Sequence, residues 1–274
     1  MSKILVPTDF SLASKKSLDY ASKISEIFNA DITLLWVDNF DATTNLQLED
    51  NLQSALRQEA KEELTEMIQK VSSKHPKVKY TPKIKTGKVF REVGTVATAE
   101  KSVLVVISTT GGSGFEDFWI GSNAYRIISA SPCPVVSIKP TFEQSEKLIT
   151  RILVPIDHTP DTLKKLPSII EFASKFNAEI NILAIYTTSL KTLHVKVENS
   201  ATTAQKMISD AKLPYRFDEL KTDNVVSDLI KFIENSSIDL IAIMTEQNNI
   251  EQSGIGQIAK EVINRSPIPV LSIR

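Results

Sequence analysis

Val103-Leu104-Val105-Val106-Ile107-Ser108-Thr109-Thr110-Gly111-Gly112-Ser113-Gly114 is the stretch on which the fold of this chain turns. The first five residues are apolar and mostly β-branched, too short for a helix and suited to a buried strand. Three glycines follow within four positions and a fourth stands at Gly121, out of only eight in the whole chain. Ser122 then precedes Ala124, Ile127 and Ile128, apolar residues at helical spacing, so a helix starts with Ser122 at or near its N-cap. Strand, glycine-dense loop and helix N-terminus together can hold a phosphate. Glycines let backbone N–H groups approach an anion, and the helix start offers unpaired donors and a positive dipole end. On local composition alone, the same loop is equally a flexible turn that ends a strand.

Outward from this stretch, the chain reads as two copies of one unit. Lys3-Ile4-Leu5-Val6-Pro7-Thr8-Asp9 recurs as Arg151-Ile152-Leu153-Val154-Pro155-Ile156-Asp157, and Phe28-Asn29-Ala30-Asp31-Ile32 recurs as Phe176-Asn177-Ala178-Glu179-Ile180. Ser131-Pro132-Cys133-Pro134-Val135-Val136-Ser137-Ile138 returns as Ser266-Pro267-Ile268-Pro269-Val270-Leu271-Ser272-Ile273. The offset falls from 148 to 135, so the second copy is shorter by about 13 residues, most of them lost between its second and third strands. A polar linker around Pro140–Lys147 separates two domains, 1–140 and 148–274.

Within the first copy, strand and helix patterns alternate. Strands are expected at Ile4–Pro7, Ile32–Val37, Val78–Ile84, Val103–Ile107 and Val135–Ile138. Helices are expected from Ser11 to Phe28, over Leu46–Val71 with Leu52, Leu56, Leu64, Met67, Ile68 and Val71 on one face, and over Val89–Ala99 and Asn123–Ser129. His75-Pro76 ends the long helix, and Gly87 suits a turn with positive φ, a place that Asp223 takes in the second copy. Five strands alternating with helices give an α/β fold, a parallel sheet covered on both faces. Ligands of such sheets sit beyond the carboxyl ends of the strands, where the strand order reverses. The segments after strands one and four meet at that edge.

Composition bounds the function. With 42% hydrophobic and 24% charged residues and a net charge of −1, the chain has no basic field for nucleic acid. No apolar run nears the roughly 20 residues of a membrane span, and the first residues lack a signal-like core, so a cytoplasmic location is expected. One cysteine, Cys133, leaves no internal disulfide; between two prolines at a strand entry it reads as a packing residue. His75, His158 and His194 show no metal-ligand spacing. Phe118 and Trp119 read as anchors of the glycine loop, and Lys74–Lys79 as solvated positions that also discourage edge pairing.

These pieces together resemble a tandem universal stress protein of the UspA-like kind, in both copies and over essentially the whole chain. The opening strand followed by Pro7-Thr8-Asp9 is similar to that family's, as is Pro132-Cys133-Pro134-Val135-Val136 near its end. The family's signature is a glycine, two residues, a glycine, nine residues, then Gly-Ser or Gly-Thr. Gly111 and Gly121-Ser122 fit it in register, with Ser108 where the first glycine is expected.

The resemblance implies two doubly wound domains of the adenine nucleotide alpha hydrolase-like kind. Each has a five-stranded parallel sheet in the order 3-2-1-4-5, and one branch of the family binds ATP. Carried over, Asp9 and the Pro7-Thr8 backbone flank adenine and ribose, and Val37 contacts the adenine. Ile107 to Gly111, with Ser108 among them, bracket the ribose and α-phosphate. Gly121, Ser122 and Asn123 hold the β- and γ-phosphates. Asp9 could also meet a Mg²⁺ carried by the ATP, or simply cap the first helix as Asp157 would. The family also implies pairing of Val135–Ile138 with Val270–Ile273 inside the chain; further association into a homodimer stays open.

The second copy departs from the signature. Gln247 and Gln257 replace the glycine and the serine, and Glu246 and Glu251 add negative charge, so its expected role is structural. Neither copy carries a P-loop or a kinase-like Asp and Asn pair, so no catalytic residue is expected. A non-binding interaction protein is the alternative, and a weak ATPase a third reading.

Overall fold

A computed structural model describes residues 2–39, 46–110, 121–143, 149–245 and 256–274, with side chains described from residue 52 in the second segment. The chain divides into two compact units, Met1–Pro140 and Thr141–Arg274.

The first unit runs β1 (Lys3–Thr8), α1 (Leu12–Phe28), β2 (Asp31–Asp38), α2 (Leu46–Ser72), β3 (Tyr80–Thr86), α3 (Val89–Ala99), β4 (Ser102–Ser108), α4 (Ser122–Ala130) and β5 (Val135–Ile138). Its strands lie in the order β3-β2-β1-β4-β5 and are parallel throughout. The second unit repeats the pattern as β6 (Arg151–Ile156), α5 (Leu166–Phe176), β7 (Glu179–Tyr186), α6 (Lys191–Asp210), β8 (Tyr215–Lys221), α7 (Val225–Glu234), β9 (Leu240–Met244), α8 (Gln257–Arg265) and β10 (Val270–Ile273). Its order is β8-β7-β6-β9-β10, again all parallel. This is the doubly wound α/β architecture that the alternating patterns imply.

Central strands are apolar on both faces because helices cover both. Ile4, Leu5, Leu34 and Leu35 in the first unit, and Ile152, Leu153 and Ile156 in the second, are fully buried. Each such side chain contributes about 1.5–3 kcal/mol of burial. Helix α1 begins where Ser11 accepts a hydrogen bond from the Ser14 N–H at 3.2 Å. It ends at Asn29, whose φ of 47° is left-handed, and Asn177 ends α5 in the same way at φ 50°. Asparagine tolerates that conformation better than most residues, which accounts for the recurrence of Phe-Asn-Ala.

Two expectations shift, and the second copy departs from the first at one helix start. Strand β3 starts at Tyr80 rather than Val78. Val78 is buried, but it closes a turn after Pro76 through its N–H to the His75 carbonyl at 3.2 Å. The buried face of α2 runs through Ala60, Leu64, Met67 and Val71, whereas Leu52 is exposed. Helix α5 starts only at Leu166, although α1 starts at Leu12. Pro167 lacks the N–H that a continuing helix would need. The chain from Thr159 to Lys165 instead takes short turns, with Thr162 N–H to Thr159 O at 3.2 Å and Lys164 N–H to Asp161 O at 3.0 Å.

The shortening of the second copy falls where the offset puts it: 41 residues separate β2 from β3, and 28 separate β7 from β8.

Candidate functional site

In the first unit the strand order reverses between β1 and β4, so Thr8 and Ser108 end neighbouring strands. The Thr8 hydroxyl is buried; it accepts from the Phe10 N–H at 3.0 Å and lies 3.0 Å from Ser14 Oγ. Phe10 sits at φ 66°, a conformation that a bulky residue holds only when its surroundings fix it. Its ring stacks on Trp36 at 6.0 Å between centroids. Asp9 is exposed, and its Oδ1 accepts from the Ser11 N–H at 3.1 Å and the Ser11 hydroxyl at 2.5 Å. Asp9 thus shapes the loop, while Ser11 caps the helix.

On the other side of the reversal, Thr109 is bonded through its N–H to the Ile138 carbonyl at 2.9 Å. Its own carbonyl accepts from the Gly121 N–H at 2.8 Å, which fixes where α4 begins. The first-turn N–H groups of a helix have no intrahelical acceptor. Gly121, the N-cap, has no side chain to supply one, and no acidic residue lies in the first turn. Gly121 has φ −61°, and a Cβ there would stand 3.5 Å from Thr109 O, an ordinary contact. The fold therefore does not itself demand glycine at this position. Among the described residues the Ser108 Oγ is buried without a hydrogen-bond partner.

These elements enclose a cavity of about 350 Å³. Pro7, Thr8, Asp9, Val37, Ile107, Ser108, Gly121, Ser122 and Asn123 all line it; Gly111 lies outside the described residues. Asp9 is the one charged residue among the described lining, so an anion here is met by backbone N–H groups and hydroxyls rather than by a side-chain cation. Thr109 and Thr110, within the expected stretch Ile107 to Gly111, line it too, whereas sequence reasoning missed Ser14, Trp36 and Val89. Trp36 was reachable: it precedes Val37 at the carboxyl end of β2, the edge where such sheets take ligands.

The universal stress protein family model matches residues 1–139 and again residues 149–274. The chain belongs to the universal stress protein family. A universal stress protein of Methanocaldococcus jannaschii is 30% identical over 139 residues, half of this chain and 81% of that protein. A universal stress protein structure from Archaeoglobus fulgidus superposes with a TM-score of 0.76 at 21% identity, covering 99% of this chain and 98% of its own. A putative universal stress protein structure from Pseudomonas aeruginosa gives 0.66 at 15% identity, covering 100% and 93%.

The second universal stress protein domain also keeps a cavity at its strand reversal, about 330 Å³, lined by Asp157, His158, Lys165, Ile243, Gly256 and Ile258 among others. Asp157 was expected to cap a helix. It instead holds a turn, accepting from the Thr159 N–H at 2.9 Å and hydroxyl at 2.5 Å, well before α5 begins. The residues Glu246, Gln247 and Glu251 lie outside the described residues, as do Phe118 and Trp119. Among the described residues no cluster of His, Cys, Asp and Glu could hold a metal ion, and no helix is long and apolar enough to cross a membrane. His75 Nδ1 lies 3.2 Å from the Glu26 carboxylate, and His194 Nε2 is 2.5 Å from the Thr188 carbonyl oxygen. Burial pushes the Cys133 thiol up against the smaller opposing effect of the Ser131 hydroxyl, which disfavours the nucleophilic thiolate.

Proposed function

We propose that the first domain of this universal stress protein binds an adenine nucleotide, ATP with or without Mg²⁺, and binds it without turning it over. The observation that carries this reading is the uncapped start of α4 opening on the same cavity as the unpartnered Ser108 hydroxyl. An incoming phosphate or ribose oxygen supplies what both lack. Val37 and Trp36 offer an apolar wall to the base, Asp9 and the Pro7-Thr8 backbone reach the ribose, and Gly121, Ser122 and Asn123 meet the phosphates. ATP itself brings the phosphates and a divalent cation; Asp9 is the side chain that would share that cation, because no lysine or arginine among the described lining offsets the phosphate charge. No second carboxylate or histidine among the described lining stands ready as a base, which supports a sensor rather than an enzyme.

Calorimetric titration of ATP with Mg²⁺ tests this. One site per chain is expected in the parent and none in Gly121→Glu, whose carboxylate would occupy the start of α4. No heat at millimolar ATP would leave the non-binding interaction protein as the better reading, and release of phosphate during the titration would favour the weak ATPase.

The two domains are further proposed to pair through Val135–Ile138 and Val270–Ile273. Each unit's own sheet ends at β5 or β10, leaving one edge of an apolar strand to be covered. Hydrogen exchange on the whole chain reads this directly. Every amide of both strands should be protected, and alternate amides exchanging at open-edge rates would rule the pairing out. Association of two chains stays a separate question, which sedimentation answers.

A further inference from the structure

The second domain's cavity contains a group that the reading of the first domain does not use. Lys165 lines the cavity and is only 4% exposed. In the repeat register it replaces Ser17, which is fully buried in the first domain and hydrogen-bonds the Ala13 carbonyl at 3.2 Å. The turns that Pro167 imposes before α5 carry this lysine into the interior.

Its ammonium has no hydrogen bond or ion pair among the described residues. Asp161 is engaged by Lys164 at 2.6 Å, and Asp157 Oδ1 by Thr159. Across the cavity, α8 begins at Gly256 with no side-chain cap and no acidic residue in its first turn. The remaining wall is largely apolar: Ile185, Val225, Leu229, Ile243, Ile258 and Val262. A buried, unpaired ammonium and an uncapped helix start on one cavity need an anion; an apolar wall of this extent needs an apolar body.

We infer that the second domain's cavity binds a small carboxylate carried on an apolar body, its charge held between Lys165 and the N-terminus of α8. A polyphosphate fits less well, because Asp157 and Asp161 also line the cavity and a single cation cannot offset several added charges. The titratable groups facing the site are Asp157, His158, Asp161 and Lys165, all from the segment between β6 and α5. The described lining from β7, β9, α7 and α8 is uncharged. Burial lowers the Lys165 ammonium to about 8, against the nearby Asp157 charge that raises it, so Lys165 carries its charge at pH 7 and loses it above.

The test titrates sodium octanoate and its neutral analogue octanamide into the full chain by calorimetry. At pH 7 the parent should take one octanoate per chain and prefer it to octanamide at least about tenfold, the worth of one charge-assisted hydrogen bond. The preference should shrink several-fold at pH 9 and vanish in Lys165→Met, which keeps an unbranched side chain one atom shorter and removes the charge. The pH comparison on the parent does not depend on how that variant folds. The inference is overturned by equal binding of the two probes, by a preference that survives in Lys165→Met, or by no octanoate binding at millimolar concentration. It is also overturned if AMP displaces octanoate from Gly121→Glu, which would assign the cavity to nucleotides. The site of the first domain enters none of these readouts, so failure here leaves the proposed nucleotide binding untouched.

Discussion

Lys165 carries a cost that can be measured without any ligand. An ammonium taken out of water without a paired carboxylate destabilises the fold, and the depressed pKa expresses that cost. The unfolded lysine titrates near 10.4 and the folded one at about 8, so between those values the unfolded chain binds more protons. Stability therefore rises with pH across that window, and below pH 8 the full penalty applies. Lys165→Met should stabilise the protein at pH 7 by up to about 3 kcal/mol and by much less at pH 10, as read from urea unfolding midpoints. A variant less stable than the parent at pH 7 would show that the ammonium is held by partners after all. In sequence this lysine sits in Lys164-Lys165-Leu166-Pro167 and looks like a solvated turn; only the register with buried Ser17 betrays it. The pair Asp9 and Asp157 teaches a related lesson. The same carboxylate-to-hydroxyl turn forms in both domains, but only Ser11 goes on to cap a helix.

At the scale of elements, the turns between strands and helices are built with different chemistry in the two copies. Gly87 lies at φ 138°, donates to the Asp38 carbonyl at 2.9 Å, and a Cβ there would stand 3.2 Å from Glu92 Oε1. Gly87→Ala should cost about 1–3 kcal/mol, since residues with side chains rarely adopt that backbone. An unchanged denaturation midpoint would contradict it. The expected counterpart Asp223 adopts no such conformation. There the Thr222 hydroxyl accepts from the Asn224 N–H at 2.8 Å and donates to Asp228 at 2.7 Å, and Asn224 caps α7. Alternating apolar runs made the strands and helices of the first copy legible to within a residue or two. Periodicity failed at β3 because Val78 is buried from a turn rather than a strand, and on α2 because the buried face, set by Ala60 and Leu64, leaves Leu52 outside it.

For the whole molecule, the repeats at Lys3–Asp9, Phe28–Ile32 and Ser131–Ile138 carried the two-domain architecture, while the strand order came only with the family resemblance. The lining of the first cavity was legible through the motifs that end β1 and begin α4. Ser14 was not, because what brings it there is the packing of α1 rather than any local signal. Nor could the pattern of lost glycines reveal that the second domain still keeps a cavity, since its walls are ordinary core residues. One scaffold thus presents two chemistries: a first cavity with Asp9 as its only described charge, and a second with a buried ammonium. Amide chemical-shift mapping of the isotope-labelled chain during titration with ATP and Mg²⁺ tests the central claim most directly. Shifts concentrated at Thr8, Asp9, Val37, Ser108 and Gly121–Asn123, with Asp157 and Gly256–Ile258 unmoved, are the predicted result. Perturbations centred on the second domain, or none at saturating nucleotide, would contradict it.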